Sequence, residues 1–291
     1  MTHFDELTKR TAMKIIEETI KHINKQSFKV LGRILVPDDL AFQSEYELLH
    51  FIHKKWTYLY LHPKGRILSF NWLKTHFSSQ QLKDAQIYLS GTHKVKGNAV
   101  VGNNATIYHF GEGRIYAAGK STVIDFGNGN IYAGDDTTIH AHHSNSVFAK
   151  GHSLVTTHTT RPIIHAWQQA VVMADTHATI TTHGYVHVVC RNGGHIVAKD
   201  QSFLEVSTNY IEGRVELYGK SIAMLYGTTE AFVANEATAK AHDECIVDVE
   251  DRGIVYAYNY AKVTASCEAR VYASDSAKVS LSDSAICKPI P

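Results

Sequence analysis

Written in eights from residue 105, the sequence reads ATIYHFGE, GRIYAAGK, STVIDFGN, GNIYAGDD, TTIHAHHS, NSVFAKGH and SLVTTHTT. The third place is Ile or Val every time: Ile107, Ile115, Val123, Ile131, Ile139, Val147 and Val155. After one inserted residue in the TTHTTRP segment, the pattern resumes at Ile164, Val172, Ile180, Val188, Ile196 and Leu204. Three more residues are inserted around 209–213, and the series then runs from Val215 and Ala223 to Val279 and Cys287, making twenty-three units with two slips. A fixed short period of this kind decides the fold class before any other feature does.

Within a unit, the places two before and two after the centre are small or apolar, as in Ala261-Val263-Ala265, so alternate side chains share one face. The remaining places hold Gly, Asn, Asp and Ser, which suit tight turns. Each unit is therefore a short strand followed by a corner. A second period sets the coil: three places after the centre, alternate units give Phe110, Phe126, His142 and His158, and later Tyr226, His242 and Tyr258. One place after the centre, the units between give Tyr116, Tyr132 and Phe148. Like residues recur at 16, not at 8, so two units close one flattened coil. The expectation is a mainly β chain, a two-sided β-solenoid of 16-residue coils over 91–291, behind a helix-rich N-terminal cap over 1–90. Cys190, Cys245 and Cys287 fall on inward places and read as buried thiols, whereas Cys267 falls at a corner.

Lys and Arg number 29 against 28 Asp and Glu, and residues 1–90 carry 13 against 9, so no strongly basic face is implied and nucleic-acid binding is disfavoured. The four cysteines lack zinc-ligand spacing and are too few for a disulfide framework. No apolar stretch is long enough for a bilayer, and MTHFDELTKR lacks the apolar run of a signal peptide, so a cytoplasmic chain without membrane partners is expected.

Paired octads in 16-residue coils resemble the repeat solenoids of bacterial ice-nucleation proteins. Units such as GNATIYHF and DSAKVSLS look like tandem octads of uncharacterised bacterial and phage proteins. The resemblance implies architecture, and it suggests a setting in a phage particle or mobile element. Ice binding is not implied: it relies on long Thr-x-Thr ladders, and only fragments such as Thr157-His158-Thr159 and Thr179-Ile180-Thr181 occur.

Residues 1–90 show no octad. Thr2 with Asp5 reads as a capping box, and Ala12, Ile16, Ile20 and Ile23 recur at helical spacing, predicting a helix from about 4 to 25. Phe28 to Leu35 reads as a strand. Ser44 with Glu47 opens a second helix carrying Leu48, Ile52, Trp56 and Leu59, and a third runs from Ser78 to Ala85. A bare solenoid end is an exposed sheet edge, so the expected task of this region is to cover the first coil. The last coil, ending SAICKPIP, is a candidate surface for homo-oligomer pairing, as is the N-terminal region.

Ten of the nineteen histidines lie between His140 and His195. His140 and His142 point outward from one strand with His158 one coil along. Three imidazoles at i, i+2 and a cross-strand place suit one Zn²⁺ or another divalent transition metal. His143 begins the adjoining corner. Asp125, on an inward place, and Asp175, next in the column after His158, are the nearby carboxylates. His165, Trp167 and His183 form a second outward cluster. The two slips, Thr159 to Pro162 and Asn209 to Arg214, are candidate binding bulges. No phosphate-binding glycine loop, G-x-S-x-G elbow or H-E-x-x-H occurs. The residues favour a non-enzymatic recognition or scaffolding protein that presents aromatic and histidine ladders to a protein or glycan partner and needs no cofactor. The alternative is a metal-assisted hydrolase or lyase with His140, His142 and His158 as ligands.

Overall fold

The computed structural model describes residues 3–31, 35–37, 40–61, 66–158, 161–175, 177–208, 213–274 and 276–290. Among them, 26 strands form two 13-stranded parallel sheets that the chain enters in strict alternation. Sheet 1 runs from the strand Ile87–Tyr88 to Lys278–Leu281, and sheet 2 from Thr92–Val95 to Ile286–Pro289. The molecule is a β-solenoid of about 12 turns with a helical N-terminal region. Its first strand pair precedes the octad pattern.

The register is the 16-residue one. Ile107 pairs with Val123, Val123 with Ile139, and Ile139 with Val155; Val155 then pairs with Val172 across the first slip. These centres and their small neighbours, such as Ala141, Ala149 and Ala166, have no exposed surface and form one continuous core. β-Branched centres flanked by alanine let the two sheets approach closely, as a thin interior requires.

The corners explain the Gly, Asn and Asp places. At the turn leading from sheet 1 to sheet 2, positive φ recurs in every coil from Asn103, Gly119 and Asp135 to Asp251, Cys267 and Asp283. Glycine adopts this conformation freely and Asn or Asp at modest cost. An Asp here also reaches one coil back: Asp135 Oδ2 accepts from Gly119 N at 2.9 Å, and Asp200 Oδ2 from Gly184 N at 2.9 Å. Each corner carboxylate thus pins the coil before it.

Both slips lie at the opposite edge, where sheet 2 returns to sheet 1. One separates the strands Leu154–Thr157 and Ile163–Gln168, the other Phe203–Thr208 and Arg214–Leu217. Residues 159–160 and 209–212 of these slips lie outside the described residues.

The helices are α1 (His3–Leu31), α2 (Glu45–Lys54), α3 (Trp56–Leu59), α4 (Phe70–His76) and α5 (Ser79–Asp84). Thr2 and the Asp5 side chain lie outside the described residues. Of the strand expected at Phe28–Leu35, the part from Phe28 to Leu31 is helical instead, the last turn of α1, and 32–34 lie outside the described residues. Among the described residues no strand precedes Ile87 to take its backbone groups, whereas a helix satisfies them internally. Asn24 instead clasps the returning chain, its side chain exchanging two hydrogen bonds of 2.8 and 2.9 Å with the Val36 backbone. The Ser44 and Ser78 caps form as the sequence indicates, the latter as a full capping box. Helix α4, capped by Ser69, is an addition to the sequence reading.

Three thiols behave as expected, and Cys287 does not. Cys190 and Cys245 are buried, and burial pushes both up to about 11. Cys287 is exposed, as is Cys267. Its strand is the outermost of sheet 2, so no further coil covers it. Titration with an aromatic disulfide under native conditions is expected to show two thiols reacting fast, lost one each in Cys267→Ser and Cys287→Ser, and two reacting only on unfolding.

Candidate functional site

The helical region does more than cover the first coil. Phe70 packs against Gly102 and Gly119, and Leu61 against Gly134, so the helices lie along the outer face of sheet 1 over three successive coils. A Cβ at Gly102 would stand 2.1 Å from the Phe70 ring, so this docking needs glycine there. Asp135 closes the seam: it pairs with Arg66, whose guanidinium lies 4.7 Å from the centre of the Tyr60 ring. Burial first, and Asp135 second, hold the Tyr60 hydroxyl above the usual phenol range.

Between the helices and sheet 1 this leaves a groove of about 750 Å³. Its floor is the outward ring column. Tyr116 heads the column and stacks on Tyr132 at 5.2 Å, Tyr132 on Phe148 at 4.8 Å, and Phe148 on His165 at 5.1 Å. Tyr116 is packed against the helical core, so the accessible floor starts at Tyr132 and continues through Phe148 to Trp167. Lys150 Nζ sits 5.4 Å over the Trp167 ring, and the Gln168 side chain accepts from Gly151 N at 2.8 Å. His165, Trp167 and His183 come together as expected, with centroids 5.9 and 6.2 Å apart.

On sheet 2 the second column stacks as the 16-residue period requires. Phe110 to Phe126 is 5.4 Å, Phe126 to His142 4.6 Å, and His142 to His158 5.2 Å. Further along, Tyr226 to His242 is 5.0 Å and His242 to Tyr258 4.5 Å. At roughly 4.8 Å between strands such rings sit in the favourable offset-stacked range. Phe110 and Phe126 remain 47% and 40% exposed, which makes them accessible ribs and not buried packing.

His140, His142 and His158 do share this face. His140 Nδ1, however, is 2.8 Å from Thr156 Oγ1, and among the described residues no three His, Cys, Asp or Glu side chains are grouped to hold a metal ion. Asp125 faces the opposite way. It is fully buried and accepts from His109 Nδ1 at 2.7 Å, from Gly127 N at 2.9 Å and from Ser144 Oγ at 2.6 Å. His109 is equally buried, and its Nε2 has no partner among the described residues. The signal for this internal cluster was a break in the rule, since His109 and Asp125 occupy successive inward places reserved elsewhere for small or apolar side chains.

Burial lowers His22, His53, His140, His142 and His165 below the ordinary imidazole value of 6.5; neighbouring imidazoles lower all five further, those being His158 for His140 and His142 and His183 for His165. A group with a depressed folded pKa binds its proton more readily when unfolded, so it favours the fold above the unfolded pKa. The urea midpoint is expected to be flat between about pH 7 and 8, to fall as pH drops below about 6.5, and to fall again above about pH 9 as the thiols buried in the fold ionise in the unfolded chain. His140→Gln combined with His165→Gln should reduce the acid-side slope.

Comparison with protein-family models, curated proteins and solved structures finds no match to this chain. The fold and the two ring-lined faces define a two-sided β-solenoid of about 12 turns with a side-docked helical region. No helix among the described residues is long and apolar enough to cross a membrane.

Proposed function

We propose that the protein is a non-enzymatic recognition or scaffolding protein that presents the outer face of sheet 2 to a protein partner. One observation carries this reading. Across the four strands from Thr106–His109 to Leu154–Thr157, every outward place from Thr106 to His158 lacks a formal charge, and in the fifth, Val171–Ala174, Val171 and Met173 continue the face until Asp175 ends the ring column. Phe110, Phe126 and Met173 are its exposed apolar members. Isolated apolar residues are ordinary on a surface, but a contiguous flat patch marks an interaction site. Aromatic, methionine and histidine side chains without Lys or Glu match the make-up of interface centres. Parallel strands bonded on both sides hold the face rigid, so little ordering cost opposes binding.

The test is photo-crosslinking in the host cell from a reactive residue at position 126, with position 181 on the outer face of sheet 1 as control. Position 126 is expected to trap one defined protein partner, and Phe110→Lys should abolish the product while leaving the thermal melt unchanged. Identical products from both positions would overturn the assignment.

A further inference from the structure

We propose that the groove between the helices and sheet 1 is a separate ligand site that takes a short acidic oligosaccharide, the carboxylate resting on Lys150 and the sugar rings on Tyr132, Phe148 and Trp167. The proposal does not depend on the protein-binding face of sheet 2, which lies on the other side of the rod.

Three observations narrow the ligand class. The first is size and shape. The groove's volume, about 750 Å³, falls within the range of small-ligand sites. Its floor runs along the rod with ring centres 4.8 Å apart between Tyr132 and Phe148 and 6.3 Å apart between Phe148 and Trp167. A ligand lying along the rod therefore crosses several apolar ribs in succession. Linked pyranose rings have this form, with apolar C–H patches recurring along an otherwise hydroxylated chain.

The second is charge. Arg66 is already paired with Asp135 across the seam. Lys150 has no carboxylate partner among the described residues, and its ammonium is held over the indole of Trp167 at 5.4 Å. One unbalanced cation beside an aromatic floor is complementary to a single carboxylate, and cation–π contact with Trp167 keeps it positioned.

The third is the state of the backbone donors. Phosphate sites are built from converging backbone N–H groups, at a helix start or in a turn. Of the corner N–H groups that line this groove, Gly134 N is bonded to the Ala117 carbonyl and Gly151 N to the Gln168 side chain. The described lining residues therefore show no converging set of donors for a phosphate, and the floor rings, already stacked on one another, present edges and not faces to a base, so a nucleotide is disfavoured. The Gln168 amide uses its oxygen on Gly151, which leaves the chemistry of its NH₂, a donor, for hydroxyl oxygens at the groove it lines.

Trp56 has no exposed surface and Trp72 lies between His22 and His76, at 4.1 and 3.9 Å, so Trp167 is the indole that reports on the groove. The full chain would be titrated with a galacturonate trimer, its neutral galactose counterpart and adenosine monophosphate, followed by indole fluorescence and calorimetry. Saturable quenching by the galacturonate is expected. Affinity should fall at least about tenfold, or 1.4 kcal/mol, in Trp167→Ala and in Lys150→Gln, with unchanged melting, and Lys150→Gln should remove the preference over the neutral trimer. No saturation by the galacturonate up to about 10 mM, stronger binding of the nucleotide, or binding untouched by both substitutions would each overturn the proposal.

Discussion

Asp125→Ala is expected to be the most damaging single substitution in the solenoid, lowering stability by about 3–5 kcal/mol. The side chain is fully buried and answers three donors at once, His109, Gly127 and Ser144. Its removal strands all three in a dry interior, and the cost comes from those orphaned donors more than from the bonds themselves. The mechanism has a second consequence. A triple variant, His109→Val with Asp125→Val and Ser144→Ala, should recover most of the loss, because it removes the donors as well and leaves only the Gly127 N–H unanswered. Urea melts followed by circular dichroism give the magnitudes. Hydrogen exchange should place the opening in the coils around 105–146 for the single variant and not for the triple.

The second large effect is expected at Asp135, where one residue performs three tasks. Its φ is +59°, its Oδ2 caps Gly119 N, and its Oδ1 pairs with Arg66. Asp135→Ala forces alanine into the left-handed region, at about 1–2 kcal/mol, and loses a backbone cap worth about 1 kcal/mol. The Arg66 pair adds less, since Arg66 is 54% exposed and solvent screens it. The total is about 2–3 kcal/mol, with a distinctive distribution. The helical region should loosen from sheet 1, so α3 and α4 become open to protease while the distal coils keep their protection. Asp135→Asn, which tolerates the same φ and keeps an accepting oxygen, should lose less than half as much.

These two residues show what could be read from the chain and what could not. The octad and its doubling were visible because stacked coils repeat one environment, so Ile107, Val123 and Ile139 had to be alike. The rings were legible for the same reason. Asp125 was visibly an inward residue, but its partners were not, since His109 and Ser144 become its neighbours only once the coils and their corner close. The groove is harder still. Arg66 and Asp135 are 69 residues apart, and docking of a helical region onto a sheet face leaves no periodic trace. Cys287 followed the octad and was still exposed, because burial in a solenoid requires a neighbouring coil as well as the right place within a unit.

The stacking of coils at one strand spacing is the claim on which the rest stands. Arg114, His195 and Lys278 occupy one outward column of sheet 1, with His195 five coils from each of the others in the register of the strands. Spin labels placed pairwise at these exposed positions, in a chain with its cysteines replaced by serine or alanine, report the spacing by pulsed dipolar spectroscopy. The solenoid predicts about 24 Å for each neighbouring pair and about 48 Å for Arg114 with Lys278, at roughly 4.8 Å per coil. An outer distance well short of twice the inner ones, or unequal inner distances, would contradict a straight stack of 16-residue coils.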